Sequence, residues 1–141
     1  MFSKEDSRKL RHEFWIGFGK SFPRKWILYD TKIKGFSFKF YFDTKIALVV
    51  LDLEDHLENR IKYWGKLQSL QNILITEYLH DAVFNETYLL DNEKEISRIY
   101  VQLDKKVSIH NKNTWRDVME FFNENMALFE AFFEDYRDLF E

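Results

Sequence analysis

Asp30, Asp43 and Lys45 have the spacing of a metal-dependent nuclease core, an acid followed by D-x-K. At such a site two carboxylates hold Mg²⁺ and the lysine orients the attacking water, and Glu13 is a further carboxylate that a preceding helix could add. Against this, Asp43-Thr44 falls between two strand-like runs, where Asp is expected for turn chemistry alone. The order of elements that follows also departs from that nuclease fold. Asp52, Glu54, Asp55 and His56 form a second cluster of hard-cation ligand types, but acids at the start of a helix are explained by capping and the macrodipole. Gly19-Lys20-Ser21 looks like the end of a phosphate-binding loop, G-x-x-x-x-G-K-S/T. The first glycine of that motif would fall on Phe14, no strand precedes it, and a helix there has already used the amides that cradle phosphate. His12, His56, His80 and His110 lack metal-ligand spacing, and the absence of cysteine excludes thiolate metal sites and disulfides. The expectation is therefore a chain with no catalytic residues, no metal and no cofactor.

What remains is binding chemistry. Residues 1–39 hold ten Lys/Arg against four Asp/Glu, and residues 111–141 hold three against eight, so a net charge of −3 hides two oppositely charged ends. The two ends could neutralise one another. Alternatively Arg8, Lys9, Arg11, Lys20, Arg24 and Lys25 could contact phosphates, with Trp15 and Trp26 stacking on bases. Arg98 starts a strand-like run between Ser97 and two apolar residues. A buried guanidinium there needs an acid, and Glu86 on the neighbouring strand is the expected partner.

These residues need elements to position them. Ser3, followed by Glu5 and Asp6, marks a helix start. Leu10, Phe14 and Phe18 carry its apolar face, and Pro23 stops it. From Gly35, Phe36, Phe38, Phe40 and Phe42 alternate with Ser37, Lys39 and Tyr41, the period of a half-buried strand. Ile46 to Leu53 reads as a more central strand, antiparallel to the first. Leu57, Ile61, Trp64, Leu67, Leu70, Ile73 and Leu74 form a helical stripe reaching Tyr78, with Asp52 to Asp55 at its start. Val83 to Leu90 and Ser97 to Leu103 read as a second hairpin, with Val107-Ser108-Ile109 as a short extra strand. Asn113 is the expected N-cap of a long final helix whose first stripe is Trp115, Val118, Phe122, Met126, Phe129, Phe133, Tyr136 and Phe140. A second stripe, Phe121, Leu128, Phe132 and Leu139, suggests an interface. The sum is a single α+β domain over residues 1–141: an antiparallel sheet of two hairpins, covered by N-terminal, central and long C-terminal helices. No apolar run is long enough for a membrane span and no signal segment opens the chain, so a cytoplasmic location is expected.

Arg11-x-x-Phe14-Trp15, the run Ile46 to Asp55, Ile96-Ser97-Arg98-Ile99-Tyr100 ahead of Val107-Ser108-Ile109, and Trp115 opening the last helix together resemble the bacterial domain-of-unknown-function family 4268 over nearly the whole chain. Members often sit C-terminal to a nuclease-like domain, so the resemblance implies a link to DNA processing or defence. It supplies no catalytic residues. Two functions are expected on these grounds. The first is a non-enzymatic interaction module, binding itself or another protein through the C-terminal helix. The second is a nucleic-acid-binding accessory of a DNA restriction or repair system.

Overall fold

The computed structural model describes residues 2–24, 26 and 31–141. Helix α1, Lys4–Ser21, begins in a capping box: the Ser3 hydroxyl accepts from the Asp6 amide at 3.0 Å and the Asp6 carboxylate accepts from the Ser3 amide at 3.1 Å. Hydrogen bonds from the Ser3 backbone amide and side chain to the Asp6 carboxylate hold that carboxyl below its ordinary range. Strands β1, Phe36–Phe42, and β2, Ala47–Leu53, pair as an antiparallel hairpin. Helix α2, Leu57–Ser69, leads through a short α3, Gln71–Ile73, into a π-helical turn, Leu74–Tyr78. Strands β3, Val83–Leu89, and β4, Glu95–Gln102, form the second hairpin, and helix α4, Trp115–Tyr136, closes the fold. The sheet order is β1-β2-β4-β3, every neighbour antiparallel. The architecture is α+β. Among the described residues no helix is long and apolar enough to cross a membrane.

Alternation along the strands divides the sheet into two unlike faces. One carries Phe36, Phe38, Phe40 and Phe42 of β1, Val49 and Leu51 of β2, and Ile99 and Val101 of β4, in register with one another. The helices pack here. Phe129 and Phe133 of α4 meet Phe38 at ring separations of 5.6 and 5.5 Å, Phe14 of α1 meets Phe42 at 4.8 Å, and Trp64 of α2 meets Phe84 of β3 at 5.7 Å. The other face bears Lys39, Tyr41, Val50, Asp52, Arg98 and Tyr100. β2 is buried along its whole length, as a central strand must be, whereas β3 is an edge strand with Val83 and Leu89 exposed.

Four local expectations are corrected. Asp52 lies in β2, as the strand reading of Ile46 to Leu53 has it, and is not at the start of α2, which begins after His56, whose ring nitrogen accepts from the Asn59 amide. The buried face of α2 is Arg60, Trp64 and Leu67, while Leu57 and Ile61 are exposed. Arg60 turns inward because the Glu95 carbonyl, at 2.9 Å, and the Glu95 carboxylate, at 2.6 Å, both accept from its guanidinium. The segment Val107-Ser108-Ile109 is no strand. Val107 and Ile109 are buried with strand-like alternation, but the Ile109 amide bonds only to the Asp43 carbonyl in the hairpin turn. Finally, a 3-10 turn at Lys112–Thr114 precedes α4; Asn111 caps that turn, and Thr114 rather than Asn113 stands at the N-cap of α4.

Candidate functional site

Phe14 and Phe18 point α1 into the core, which fixes what the rest of the helix presents. At about 100° per residue, Arg8, Arg11, Trp15 and Gly19 fall within an arc of roughly 80° on its exposed side. Lys9 and Lys20 lie about 120° further round by the same rotation, and Lys9 faces Glu5 at 3.8 Å. Among the described residues, Arg8, Arg11 and Lys20 have neither an ion-pair nor a hydrogen-bonding side-chain partner. Lys25 lies outside the described residues.

The arginine-bearing arc ends at a cleft of about 340 Å³ lined by Trp15, Phe18, Gly19, Phe22, Arg24, Trp26 and Phe40. Trp15 lies flat on Phe122 of α4, 5.7 Å away with 2° between the rings, and is still 37% exposed. Trp26 meets Phe40 edge-on at 5.8 Å. Arg24 sits over the Trp26 ring at 4.5 Å and donates to the Glu130 carboxylate at 3.1 Å. Glu130 is buried in α4, so Arg24 is tied to the core by that carboxylate and lies over an indole. Three arginines, Arg8, Arg11 and Arg24, and two tryptophans singled out in the sequence thus stand along one path from α1 into an aromatic cleft. No spacing rule links Trp15 to Trp26. Phe40, at 6.2 Å from Trp15 and within the strand that follows, is what brings them together.

The acidic constellation does not come together in this way. Asp43 is engaged by its own turn: its carboxylate accepts from the amides of Lys45, at 2.7 Å, and Ile46, at 2.8 Å, and from the Tyr41 hydroxyl at 2.7 Å. Burial pushes the Asp43 carboxyl up, but the Ile46 amide, the Tyr41 hydroxyl and the Lys45 amide outweigh it and hold the group below its ordinary range. Asp30 lies outside the described residues. Glu13 is bonded to Lys112 at 2.7 Å. Asp55 caps the turn before α2 by accepting from the His56 amide and the Asn59 side chain, and Glu54 faces Lys94 at 2.9 Å. Among the described residues no group of three or more His, Asp or Glu could hold a metal ion. Gly19-Lys20-Ser21 is the last turn of α1.

Arg98 is buried, and its partner is Asp52 rather than Glu86. The two stand directly across from one another in the β2–β4 register, and the guanidinium donates to both carboxylate oxygens, at 2.7 and 3.0 Å. Tyr88 covers the pair, its ring 4.3 Å from the guanidinium carbon, and Lys39 approaches Asp52 at 3.7 Å. Burial lowers the Arg98 pKa, but the Asp52 hydrogen bonds and charge outweigh it, so the group is raised above its ordinary value. Glu86 is exposed because a bulge in β3 sets it beside Ser97, whose hydroxyl donates to the Glu86 carbonyl.

The expected interface stripe of α4 is also corrected. Phe121 and Phe132 are core residues, 8% and 1% exposed, and only Leu128 and Leu139 reach solvent. Tyr78, carried by the π-helical turn, packs edge-on against Phe132 at 5.4 Å and bonds through its hydroxyl to Asp135. That cover comes from a turn whose irregular phase the sequence does not signal.

The fold and the site define a small α+β module whose open surface offers aromatic and cationic side chains. The chain belongs to DUF4268, a domain of unknown function, whose family model matches residues 10–137. No curated protein and no solved structure gives a significant match.

Proposed function

We propose that this domain binds nucleic acid, holding a phosphate backbone on the exposed side of α1. One observation carries the reading: Arg8 and Arg11 stand without partners among the described residues, in line with an exposed tryptophan. Cations left unpaired beside acids elsewhere in the same chain are available to an outside anion. Neutralisation of the two chain ends accounts for only part of the charge, through Arg24–Glu130 and Lys112–Glu13. Binding of this kind releases counterions, so affinity falls steeply with salt. Fluorescence anisotropy of a labelled oligonucleotide at low and at physiological salt tests it. The double variant Arg8→Glu/Arg11→Glu is expected to weaken binding at least about tenfold at low salt and to flatten the salt dependence, since each phosphate contact contributes to the slope. Binding that ignores the charge reversal would sink the reading.

A second reading, a protein-interaction module, is favoured by the edge strand β3. Among the described residues no strand pairs with its outer side, and Val83 and Leu89 of β3 are exposed. Exposed edges of this kind recruit further strands. Light scattering at high concentration, with Asn85→Pro to block the edge, separates the two: a self-associating chain that the proline renders monomeric supports the interaction module.

A further inference from the structure

We infer that the aromatic cleft at the end of α1 takes an unpaired base, so that the nucleic acid this domain prefers is single-stranded; the inference rests on the backbone-binding reading above. In a duplex the faces of the bases are stacked on one another, and only their edges and the phosphates are open to a protein. An aromatic platform is of use only to a base whose π-face is free.

Trp15 is such a platform. The ring packs parallel to the buried Phe122, which holds it before any ligand arrives, and the residue is still 37% exposed at the cleft. Trp26 is held against Phe40 on the other side of the cleft. Pre-set aromatic rings lose little freedom on binding, which is where much of the cost of association falls. At about 340 Å³ the cleft is of small-ligand size, enough for one base.

Charge gives the direction of the strand. Arg8 and Arg11 precede Trp15 on the same side of α1, with steps of three and four residues, about one helical turn each. A backbone laid on the arginines therefore arrives at the tryptophan. Arg24 closes the far side. Its anchoring to Glu130 uses one nitrogen, and a guanidinium has five N–H donors, so others stay free for a base edge or a phosphate.

The test compares labelled single-stranded oligothymidine with a duplex of equal length, by anisotropy at low salt, for four proteins. These are the wild type, Trp26→Ala, Trp26→Phe and Gly19→Leu. A Cβ added at position 19 meets no atom within 4 Å, and Gly19 lines the cleft, so leucine there is expected to fill part of it. Thermal melts confirm that each variant is folded. The expected result is that the wild type prefers the single strand. Trp26→Ala and Gly19→Leu each weaken that binding roughly tenfold, within the range of one stacked base. Trp26→Phe retains most of it, and duplex binding is unchanged throughout. If both blocking variants bind the single strand as the wild type does, or lose single strand and duplex equally, the cleft holds no base and the inference is overturned, while salt-sensitive binding would leave the backbone reading standing. If the wild type binds neither probe at low salt, both readings fail together.

Discussion

Helices α1 and α4 lie on the same face of the sheet and both turn aromatic residues into the core, yet they dispose of their remaining side chains in opposite ways. α4 has two apolar stripes; the first is covered against β1 and β2, and of the second Phe121 and Phe132 are buried, Phe132 against Tyr78, while Leu128 and Leu139 stay exposed. Its acids are largely engaged: Glu120 with Arg116, Asp117 with Lys105, Glu130 with Arg24, Glu134 with Arg137. α1 buries only Phe14 and Phe18, leaves Trp15 and Ile16 exposed, and keeps Arg8, Arg11 and Lys20 unpaired among the described residues. A broad apolar stripe is thus a poor sign of an interface, because the chain itself supplies the cover. Cations that the chain leaves without partners are the better sign.

The contrast breaks first at Phe132. Asp at this 1%-exposed position removes a buried ring and inserts a charge. The loss expected is at least about 4 kcal/mol, enough to unfold much of a domain of ordinary stability. Circular dichroism melts and size-exclusion chromatography should show loss of the folded state, whereas a folded protein of altered oligomeric state would return the stripe to the surface.

Next comes the buried pair on the open face. Asp52→Ala strands Arg98 without its carboxylate and should cost about 3–5 kcal/mol in urea unfolding, while Glu86→Ala should stay within about 0.5 kcal/mol. Equal effects would mean that the register pairing is wrong.

Arg8→Glu/Arg11→Glu should leave stability within about 1 kcal/mol, as two exposed substitutions do. A large loss would mean that these arginines are structural.

The smallest effect is in tyrosine ionisation. The hydroxyl of Tyr41 donates to Asp43, and this bond, with burial and nearby negative charge, pushes its pKa from 10 to about 12. Tyr78, bonded to Asp135, is also pushed up to about 12. A raised folded-state pKa means that the contribution to stability is whole below about pH 10 and is lost as pH rises towards 12. Ultraviolet titration should show late tyrosine ionisation, and Tyr41→Phe and Tyr78→Phe should each remove part of it. A titration complete near pH 10 would contradict both hydrogen bonds.

Much of this molecule is legible in its sequence. Phe36, Phe38, Phe40 and Phe42 announce both a strand and the side it buries, because period two has no helical counterpart. The hairpins and the order of helices follow from runs of apolar residues and short polar turns. Side-chain partners do not follow so readily. Asp52 falls within the strand read from Ile46 to Leu53, but beside Glu54 and Asp55 it also reads as a helix-start acid, and the register that sets it opposite Arg98 is not visible in the spacing. The face of α2 is misread because Leu57 and Ile61 are apolar, while Arg60 turns inward for a carbonyl thirty-five residues away. The basic and aromatic residues of the cleft are visible as types, but their meeting depends on Phe40 and Glu130, which lie on two other elements.

The titration to perform before any other is that of a labelled single-stranded oligonucleotide with the wild-type protein and with Arg8→Glu/Arg11→Glu, at two salt concentrations. The wild type should bind at low salt and release as salt rises, and the variant should bind at least about tenfold more weakly with a shallower dependence. A wild type that fails to bind at low salt, or a variant that binds equally well, would leave the exposed side of α1 without the role assigned to it.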